Sequence, residues 1–305
     1  MKAVEVSQIT KVFGKGNIPA VDDVSFSVDR GELFGIIGPD GAGKTTLFRM
    51  LTTLLLPDGG GASVDGYDIV KDYKSIRNTI GYMPGRFSLY QDLTIEENLN
   101  FFATLFNTTI DENYHLIRDI YVQIEKFKDR RAGKLSGGMK QKLALCCALI
   151  HRPSILFLDE PTTGVDPVSR KEFWEMLRML KGQGITILVS TPYMDEATRC
   201  DRIALFQSGK ILTSDTPENI ISAYPQKLFA IKSDSMHEVL KALARYDDTE
   251  SHYAFGEYAH ATFHRSTTVT QVADALRSSG LNLVTVKQVT PSIEDCFIRQ
   301  LKHST

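Results

Sequence analysis

A glycine-rich segment, the phosphate loop, carries residue types that bind phosphate. It matches G-x-x-x-x-G-K-[ST] at every fixed position and comprises Gly38, Pro39, Asp40, Gly41, Ala42, Gly43, Lys44, Thr45 and Thr46. Glycines let the backbone wrap phosphate groups, and the helix that follows adds positive potential. Lys44 would contribute a charge to the β- and γ-phosphates, and the Thr45 hydroxyl a ligand for Mg²⁺. The alternative, a glycine turn with a surface lysine, does not require the full pattern, so we predict nucleotide binding.

Two adjacent carboxylates end an apolar run further along the chain. Residues 155–160 read Ile-Leu-Phe-Leu-Asp-Glu, which places Asp159 and Glu160 at the end of a predicted buried strand. Burying charged carboxylates at the end of a strand is energetically unfavourable unless a bound metal and a reaction use them. Asp159 suits Mg²⁺, and Glu160 suits a general base acting on water. Alone, the pair could be a helix N-cap with a solvated neighbour.

A third segment, residues 135–141, reads Leu-Ser-Gly-Gly-Met-Lys-Gln and precedes an apolar helical pattern. It places free backbone N–H groups at a helix start, where an anion can bind. Physical reasoning alone makes Ser136 a helix N-cap. We call residues 135–141 the signature segment.

Hydrophobic patterns place these segments on strands and helices. The predicted elements are antiparallel strands over 2–30, a buried strand at 33–38, helices at 44–56, 95–130 and 137–151, and strands at 155–161 and 185–191 joined by a helix at 169–184. The last three form a βαβ unit, so the sheet is predicted to be largely parallel there.

The character of the sequence changes after about Tyr224. A β-α-β-β-α-β order, whose last strand is predicted at 281–289, suggests a ferredoxin-like α+β sandwich closed by a helix at 292–301. The length of 305 residues also favours two domains. We predict domains at 1–224, with a helical subdomain at about 86–150, and at 225–305.

Composition excludes some functions. The formal net charge of −2 supplies no global basic field, so nucleic acid is not an expected partner. The four cysteines form no CxxC spacing and are predicted to be buried, reduced thiols. No export signal and no membrane-spanning run are recognised, so a membrane role is expected to be peripheral.

The phosphate loop, the signature segment and the strand ending in Asp159-Glu160, in this order and spacing, resemble the motif set of ABC ATPases over about residues 2–220. The resemblance implies an α/β P-loop core with a mixed sheet, an N-terminal antiparallel part and a helical subdomain. It implies ATP and Mg²⁺ as cofactors and a cytoplasmic subunit that drives export through integral-membrane permease subunits at the inner face of the plasma membrane. The tail resembles the accessory domain of drug-efflux and polyketide-exporter ATPases.

The resemblance also assigns roles to single residues. Asp166 fits the D-loop that links two sites, and Phe13, otherwise a core candidate, matches an aromatic that stacks on adenine. In the family, the signature segment reaches across a head-to-tail dimer to the γ-phosphate of the partner's ATP. The residues implied in this trans role are Ser136, Gly137, Gly138 and Gln141.

Two positions depart from the family pattern. Gly85 stands where a glutamine is expected, and Pro192 replaces the switch histidine after the strand at 185–191. Proline has no side-chain donor for a γ-phosphate and removes an N–H. We therefore expect slow hydrolysis at this chain's own site. The surrounding residues resemble the amino-terminal cassette of tandem efflux ATPases, which favours a heterodimer with a second cassette over a homodimer.

Two alternatives remain open at this point. A non-catalytic ATP-binding regulator is favoured by Pro192 and Gly85 but opposed by Asp159 and Glu160. A soluble ABC ATPase of translation or DNA repair would need a second fused cassette, a long coiled coil or a basic arm. None of these features is recognised in the sequence.

Overall fold

The computed structural model describes residues 1–14, 18–281 and 284–303 of the chain. The chain divides into two compact units, Met1–Pro217 and Glu218–Thr305. The domain boundary suggested by the sequence, after residue 224, lies slightly further along the chain. None of the described helices combines the length and apolar character needed to cross a bilayer.

The first unit alternates strands and helices. In chain order they are β1 (Lys2–Val12), β2 (Pro19–Asp29), β3 (Leu33–Ile37), α1 (Lys44–Leu51), β4 (Gly59–Val64), β5 (Tyr67–Asp68), α2 (Tyr73–Thr79), β6 (Ile80–Met83), α3 (Ile95–Leu105), α4 (Ile110–Glu125), α5 (Gly137–Leu149), β7 (Ile155–Asp159), α6 (Pro167–Gly182), β8 (Thr186–Thr191), β9 (Arg202–Gln207) and β10 (Lys210–Asp215). Short 3₁₀ turns lie at Ala132–Lys134 and Met194–Arg199.

The central sheet brings the predicted site together. Its strand order is β10-β9-β3-β8-β7-β6, with parallel pairing except between β9 and β10. Ile37 at the end of β3 pairs with Thr191, and Asp159 at the end of β7 pairs with Ser190. The carboxyl ends of β3, β7 and β8 therefore meet at one edge, where ligands of open α/β sheets bind.

A separate antiparallel sheet, in the order β2-β1-β4-β5, completes the β structure of this unit. The predicted antiparallel strands, the parallel βαβ unit and the α/β class with mixed sheets are confirmed. One helix prediction was too long, because α1 ends at Leu51 rather than 56. The Thr52 hydroxyl donates to the Phe48 carbonyl at 2.8 Å, and Thr53 has a φ of 63°, which ends the helical path.

The helical pattern over 95–130 forms two helices rather than one. Thr94 with Glu97 starts α3, and Thr109 with Glu112 starts α4, each as a reciprocal capping box. Each box satisfies backbone N–H groups at a helix start. In a single continuous helix the same groups would already be bonded within the helix. The chain turns between the two helices at Asn107, whose φ is 55°.

Apolar contacts hold α1, and with it the phosphate loop, on the sheet. Phe48 of α1 meets Phe157 of β7 edge-on, with ring centroids 5.8 Å apart, and both rings are fully buried. Burying one such side chain contributes about 1.5–3 kcal/mol. The predicted cysteines are confirmed as buried free thiols, and burial raises the pKa of Cys147.

The second unit has the β-α-β-β-α-β order predicted from the sequence. After α7 (Pro217–Ser222), which begins at the last residue of the first unit, the elements are β11 (Leu228–Lys232), α8 (Met236–Arg245), β12 (Thr249–Phe255), β13 (Tyr258–Phe263), α9 (Val269–Ser278), β14 (Thr285–Val289) and α10 (Ile293–His303). Its antiparallel sheet has the order β12-β13-β11-β14. Asn282 and Leu283, assigned to the last strand in the sequence analysis, lie outside the described residues.

A buried carboxylate ties α10 to this sheet. Asp295 is 1% exposed and accepts hydrogen bonds at 2.6 Å from both the Tyr253 hydroxyl and His260 Nδ1. Its other oxygen accepts from the Ser292 backbone N–H and hydroxyl at 2.7 Å. Burial acts to raise the pKa of Asp295, but these hydrogen bonds outweigh it and lower the pKa to about 2.

Replacing Asp295 with asparagine should destabilise the second unit by roughly 2 kcal/mol at pH 7, because a pKa below the unfolded value stabilises the ionised fold. The unfolding temperature of this unit in the full chain should fall by roughly 10 °C. The stabilisation is present above the unfolded pKa and disappears as the pH falls through the folded value. Between pH 5 and pH 2 the wild type and the variant should therefore converge, and a constant difference would contradict this account.

Candidate functional site

The phosphate loop has a backbone that only glycine permits at a key position. Gly43 has a φ of 109°, and a Cβ there would lie 2.1 Å from the Ala20 carbonyl oxygen. Gly43 is also the N-cap of α1, so no side chain caps the helix, and its first turn contains no acidic residue. The first N–H groups of α1 thus remain available to an anion, as phosphate binding requires.

Lys44 lies buried inside this loop, 3% exposed. Its Nζ donates to the Gly38 and Pro39 carbonyl oxygens at 2.8 and 3.0 Å. The same Nζ lies 3.0 Å from Glu160 Oε1. The structure therefore brings together two residues with separate predicted roles, the phosphate-binding cation and the general base.

Asp159 and Glu160 are fixed by Ser190, a residue that the motifs did not identify. The Ser190 hydroxyl donates to Asp159 Oδ1 at 2.6 Å, and the Glu160 N–H reaches the Ser190 hydroxyl and carbonyl oxygens at 3.0 Å. Asp159 is 1% exposed, and Glu160 has a φ of 49°, a strained value for a residue with a side chain. Backbone strain of this kind is common where a side chain must be aimed into a site.

The donor set at this edge fits Mg²⁺ bound together with nucleotide. Thr45 offers a hydroxyl and Asp159 a carboxylate, both hard oxygen ligands. The described residues contain no group of three or more His, Cys, Asp or Glu side chains that could hold a metal unaided. Mg²⁺ usually takes its remaining ligands from phosphates and water, so two protein ligands suffice.

Of the two positions that depart from the family pattern, Pro192 lies beside the phosphate loop and Gly85 lies beside Asp159. Pro192 directly follows Thr191, whose carbonyl accepts from the Gly38 N–H at 3.2 Å. A Cβ added to Gly85 would lie 3.1 Å from the Asp159 carbonyl oxygen and 3.7 Å from Asp159 Oδ2. A longer side chain at either position would begin beside the phosphate loop or the carboxylates.

The signature segment starts α5. The Ser136 hydroxyl accepts from the Met139 N–H at 3.4 Å, so Ser136 is the helix N-cap, as expected. Ser136 and Gly137 are exposed, whereas Gly138 is buried against α6, where an added Cβ would lie 2.5 Å from the Ser169 hydroxyl. Gln141 lines an apolar cleft of about 550 Å³.

Phe13 and Asp166 lie outside the cluster formed by Lys44, Asp159 and Glu160, and their expected roles remain predictions. Phe13 is 53% exposed at the end of β1, so it is not a core residue. Asp166 caps α6 by accepting from the Ser169 and Val168 N–H groups at 3.0 and 3.1 Å. These hydrogen bonds, that from Ser169 first, lower the pKa of Asp166.

The apolar cleft lies between β6, the loop that follows it, and the helices α3 and α5. Phe87, Leu105, Phe106 and Gly85 are among its lining residues. Leu105 is 59% exposed. Gly85 therefore borders the cleft and also approaches Asp159, which links this surface to the site.

Comparisons with known proteins identify similar sequences and a similar fold. Residues 21–163 match the family model described as ABC transporter. The chain is 36% identical over 299 residues to the probable multidrug ABC transporter ATP-binding protein YbhF of Escherichia coli (strain K12), covering 97% of this chain but only 51% of that protein. It is 34% identical over 312 residues to the daunorubicin resistance ATP-binding protein DrrA2 of Streptomyces coeruleorubidus, covering 99% and 96%.

A solved structure shows a similar fold. It is a dimeric ATP-binding cassette in a post-hydrolysis state, bound to ADP and Pi, with a TM-score of 0.63 and 25% sequence identity. The similarity covers 70% of this chain and 98% of that chain.

Proposed function

The chain belongs to the ABC transporter family, and from this membership we propose that it binds and hydrolyses ATP to power export through a separate membrane permease. The observation that carries the proposal is the meeting of Lys44, Asp159 and Glu160 at the end of the phosphate loop. A buried cation, a metal-binding carboxylate and a base at one sheet edge form the apparatus of phosphoryl transfer.

The chain's own residues would act in sequence. Lys44 would exchange Glu160 and the loop carbonyls for the β- and γ-phosphates, and the open N–H groups of α1 would hold the same phosphates. Thr45 and Asp159 would hold Mg²⁺, which neutralises phosphate charge when bound. Glu160, released from Lys44, would accept a proton from the water that attacks the γ-phosphate.

We propose that the active form is a dimer in which Ser136, Gly137 and Gly138 act on the partner's ATP. The dimeric state of the similar cassette and the exposure of Ser136 and Gly137 support this arrangement. A homodimer would carry Pro192 in both sites. A heterodimer with a cassette that keeps its switch histidine would have one site in which that histidine is present. We favour the heterodimer for this reason.

The proposed partner in the membrane is a permease that contacts the apolar cleft. The cleft is concave and mostly apolar, which suits the docking of an apolar segment of a partner protein. Gly85 lines the cleft and also lies close to Asp159. A permease segment bound in the cleft would therefore respond to changes at the carboxylates of the ATP site. Such a subunit would work at the cytoplasmic face, and the names of the multidrug and daunorubicin resistance relatives support export.

A non-catalytic regulator is the second candidate, favoured by Pro192 and Gly85. Replacing Pro192 with histidine tests it, since the new side chain begins next to Thr191 and the phosphate loop. ATP turnover by the isolated chain should rise at least about tenfold, because one preorganised donor contributes about 10²–10³ in rate and Gly85 remains.

The matched control is Pro192→Ala, which removes the proline ring and restores the backbone N–H, as histidine also does, but adds no side-chain donor. It should give no comparable gain. Turnover is compared for the chain alone and co-purified with a second cassette. A folded Pro192→His protein whose rate equals that of Pro192→Ala would rule out the missing histidine as the cause of slow hydrolysis.

A further inference from the structure

A buried carboxylate outside the motifs connects three segments of the site. Glu196 is 1% exposed and accepts hydrogen bonds from the Thr162 hydroxyl at 2.9 Å and Trp174 Nε1 at 2.8 Å. It also accepts from Thr191 Oγ1 and Arg170 Nε. Thr162 follows Glu160 by two positions, and Thr191 precedes Pro192. The Glu196 side chain thus accepts hydrogen bonds both from the loop that follows Glu160 and from the residue before the switch position.

Arg170, in the first turn of α6, extends this network to Asp195 and Tyr193. Its Nη2 donates to both Asp195 carboxylate oxygens at 2.8 and 3.0 Å, and its guanidinium lies 4.2 Å from the centre of the Tyr193 ring. Burial would lower the pKa of Arg170, but the bonds to Glu196 and Asp195 raise it. Residues 193–196 are therefore held against the first turns of α6 by a permanent cation.

The Thr191 hydroxyl completes the connection. It donates to Glu196 and accepts from the Tyr193 N–H at 3.1 Å, so it bridges the two sides of Pro192. Pro192 itself offers neither a side-chain donor nor an N–H. The residues on either side of Pro192 are therefore held by bonds that lead through Thr191 to Glu196.

We propose that Glu196 is a positioning residue for ATP hydrolysis, which holds the loop of Glu160 and the switch segment in one fixed geometry. This inference rests on the proposed ATPase function. Four donors converge on one buried charge, and bonds to a charged group are about twice as strong as neutral ones. Loosening one of them should shift Glu160 relative to the attacking water without altering the phosphate loop that binds ATP.

The test uses threonine-to-valine variants, which remove a hydroxyl and keep the volume. Thr162→Val removes one bond to Glu196, whereas Thr186→Val, at the opposite end of β8, removes a bond of similar length, 3.0 Å to the Gly31 N–H. Both threonines are buried, at 1% and 2% exposure. We expect Thr162→Val to lower kcat about tenfold with an unchanged KM for ATP, and Thr186→Val to change kcat by less than about twofold. Thr162→Ser, which keeps the hydroxyl, should retain wild-type kcat.

kcat and KM for ATP are measured in the steady state with the full chain over a range of ATP concentrations. Amide exchange of residues 159–166 is measured in parallel and needs no activity. Faster exchange there in Thr162→Val alone supports the proposal. Equal kcat and exchange in the two valine variants would overturn it. If the wild type hydrolyses no ATP, the proposed function fails, and the exchange comparison still decides whether Glu196 positions the loop.

Discussion

Replacing Glu160 with glutamine should lower ATP hydrolysis by the purified chain at least about 10²-fold, because general-base catalysis contributes about 10²–10⁴ in rate. The substitution keeps the size of the side chain and removes its charge. It also removes the ion pair at 3.0 Å between Lys44 and Glu160. Lys44 should then reach the phosphates more easily, so ATP should remain bound without being cleaved.

The measurement is single-turnover cleavage of bound ATP, followed by quantification of ATP that stays with the protein. Lys44→Ala is the informative comparison, since it should lose bound nucleotide instead of retaining it. Rapid cleavage by Glu160→Gln would show that another group serves as the base.

Replacing Gly137 with aspartate should abolish most ATP hydrolysis by a heterodimer in which the second cassette keeps its switch histidine. Gly137 is exposed at the start of α5, and a Cβ there would meet only the Gly164 carbonyl oxygen, at 3.5 Å. The variant should therefore fold. A carboxylate at a helix N-terminus is even favourable locally, but it would face the partner's γ-phosphate. We expect steady-state turnover of the pair to fall about 10²-fold or more, comparable to losing a preorganised anion site.

The matched control is Gly137→Ala, which adds the same Cβ without charge and should retain most activity. Gly138 is unsuitable for this test, because any side chain there meets Ser169 inside the same chain. In the same pair, Glu160→Gln of this chain should cost far less than Gly137→Asp, since it impairs only the site with Pro192. Equal losses from the two variants would contradict the heterodimer.

The sequence predicts the phosphate loop and the Asp159-Glu160 pair well, because each depends on residues a few positions apart. Ser190 and Glu196 could not be identified in this way. Ser190 stands 31 positions from the Asp159 that it contacts, and Glu196 has donors on three separate segments. Such contacts arise when parallel strands align their ends, and no local pattern records which polar residue will lie opposite which.

The secondary structure likewise contains elements that the sequence predicts and elements that it does not. Strands β3, β7 and β8 are buried throughout and contain apolar runs, from which the sequence predicts them. The strand β4 was missed because it reads Gly-Gly-Gly-Ala-Ser-Val, a composition with low strand propensity. Pairing with β1 holds it in the sheet, so tertiary contacts override local preference. The early end of α1 likewise follows from the backbone at Thr53, which hydrophobic periodicity does not encode.

Calorimetric titration of the full chain with ATP in the presence of Mg²⁺ tests the central claim most directly. The wild type should bind stoichiometrically, and Lys44→Ala should bind about 10- to 10²-fold more weakly, since it loses charge-assisted bonds to phosphate. Glu160→Gln should bind as tightly as the wild type or up to about tenfold more tightly, because a partly buried competing ion pair is removed. Absence of ATP binding by the wild type, or equal loss of affinity in both variants, would contradict the assignment of this site.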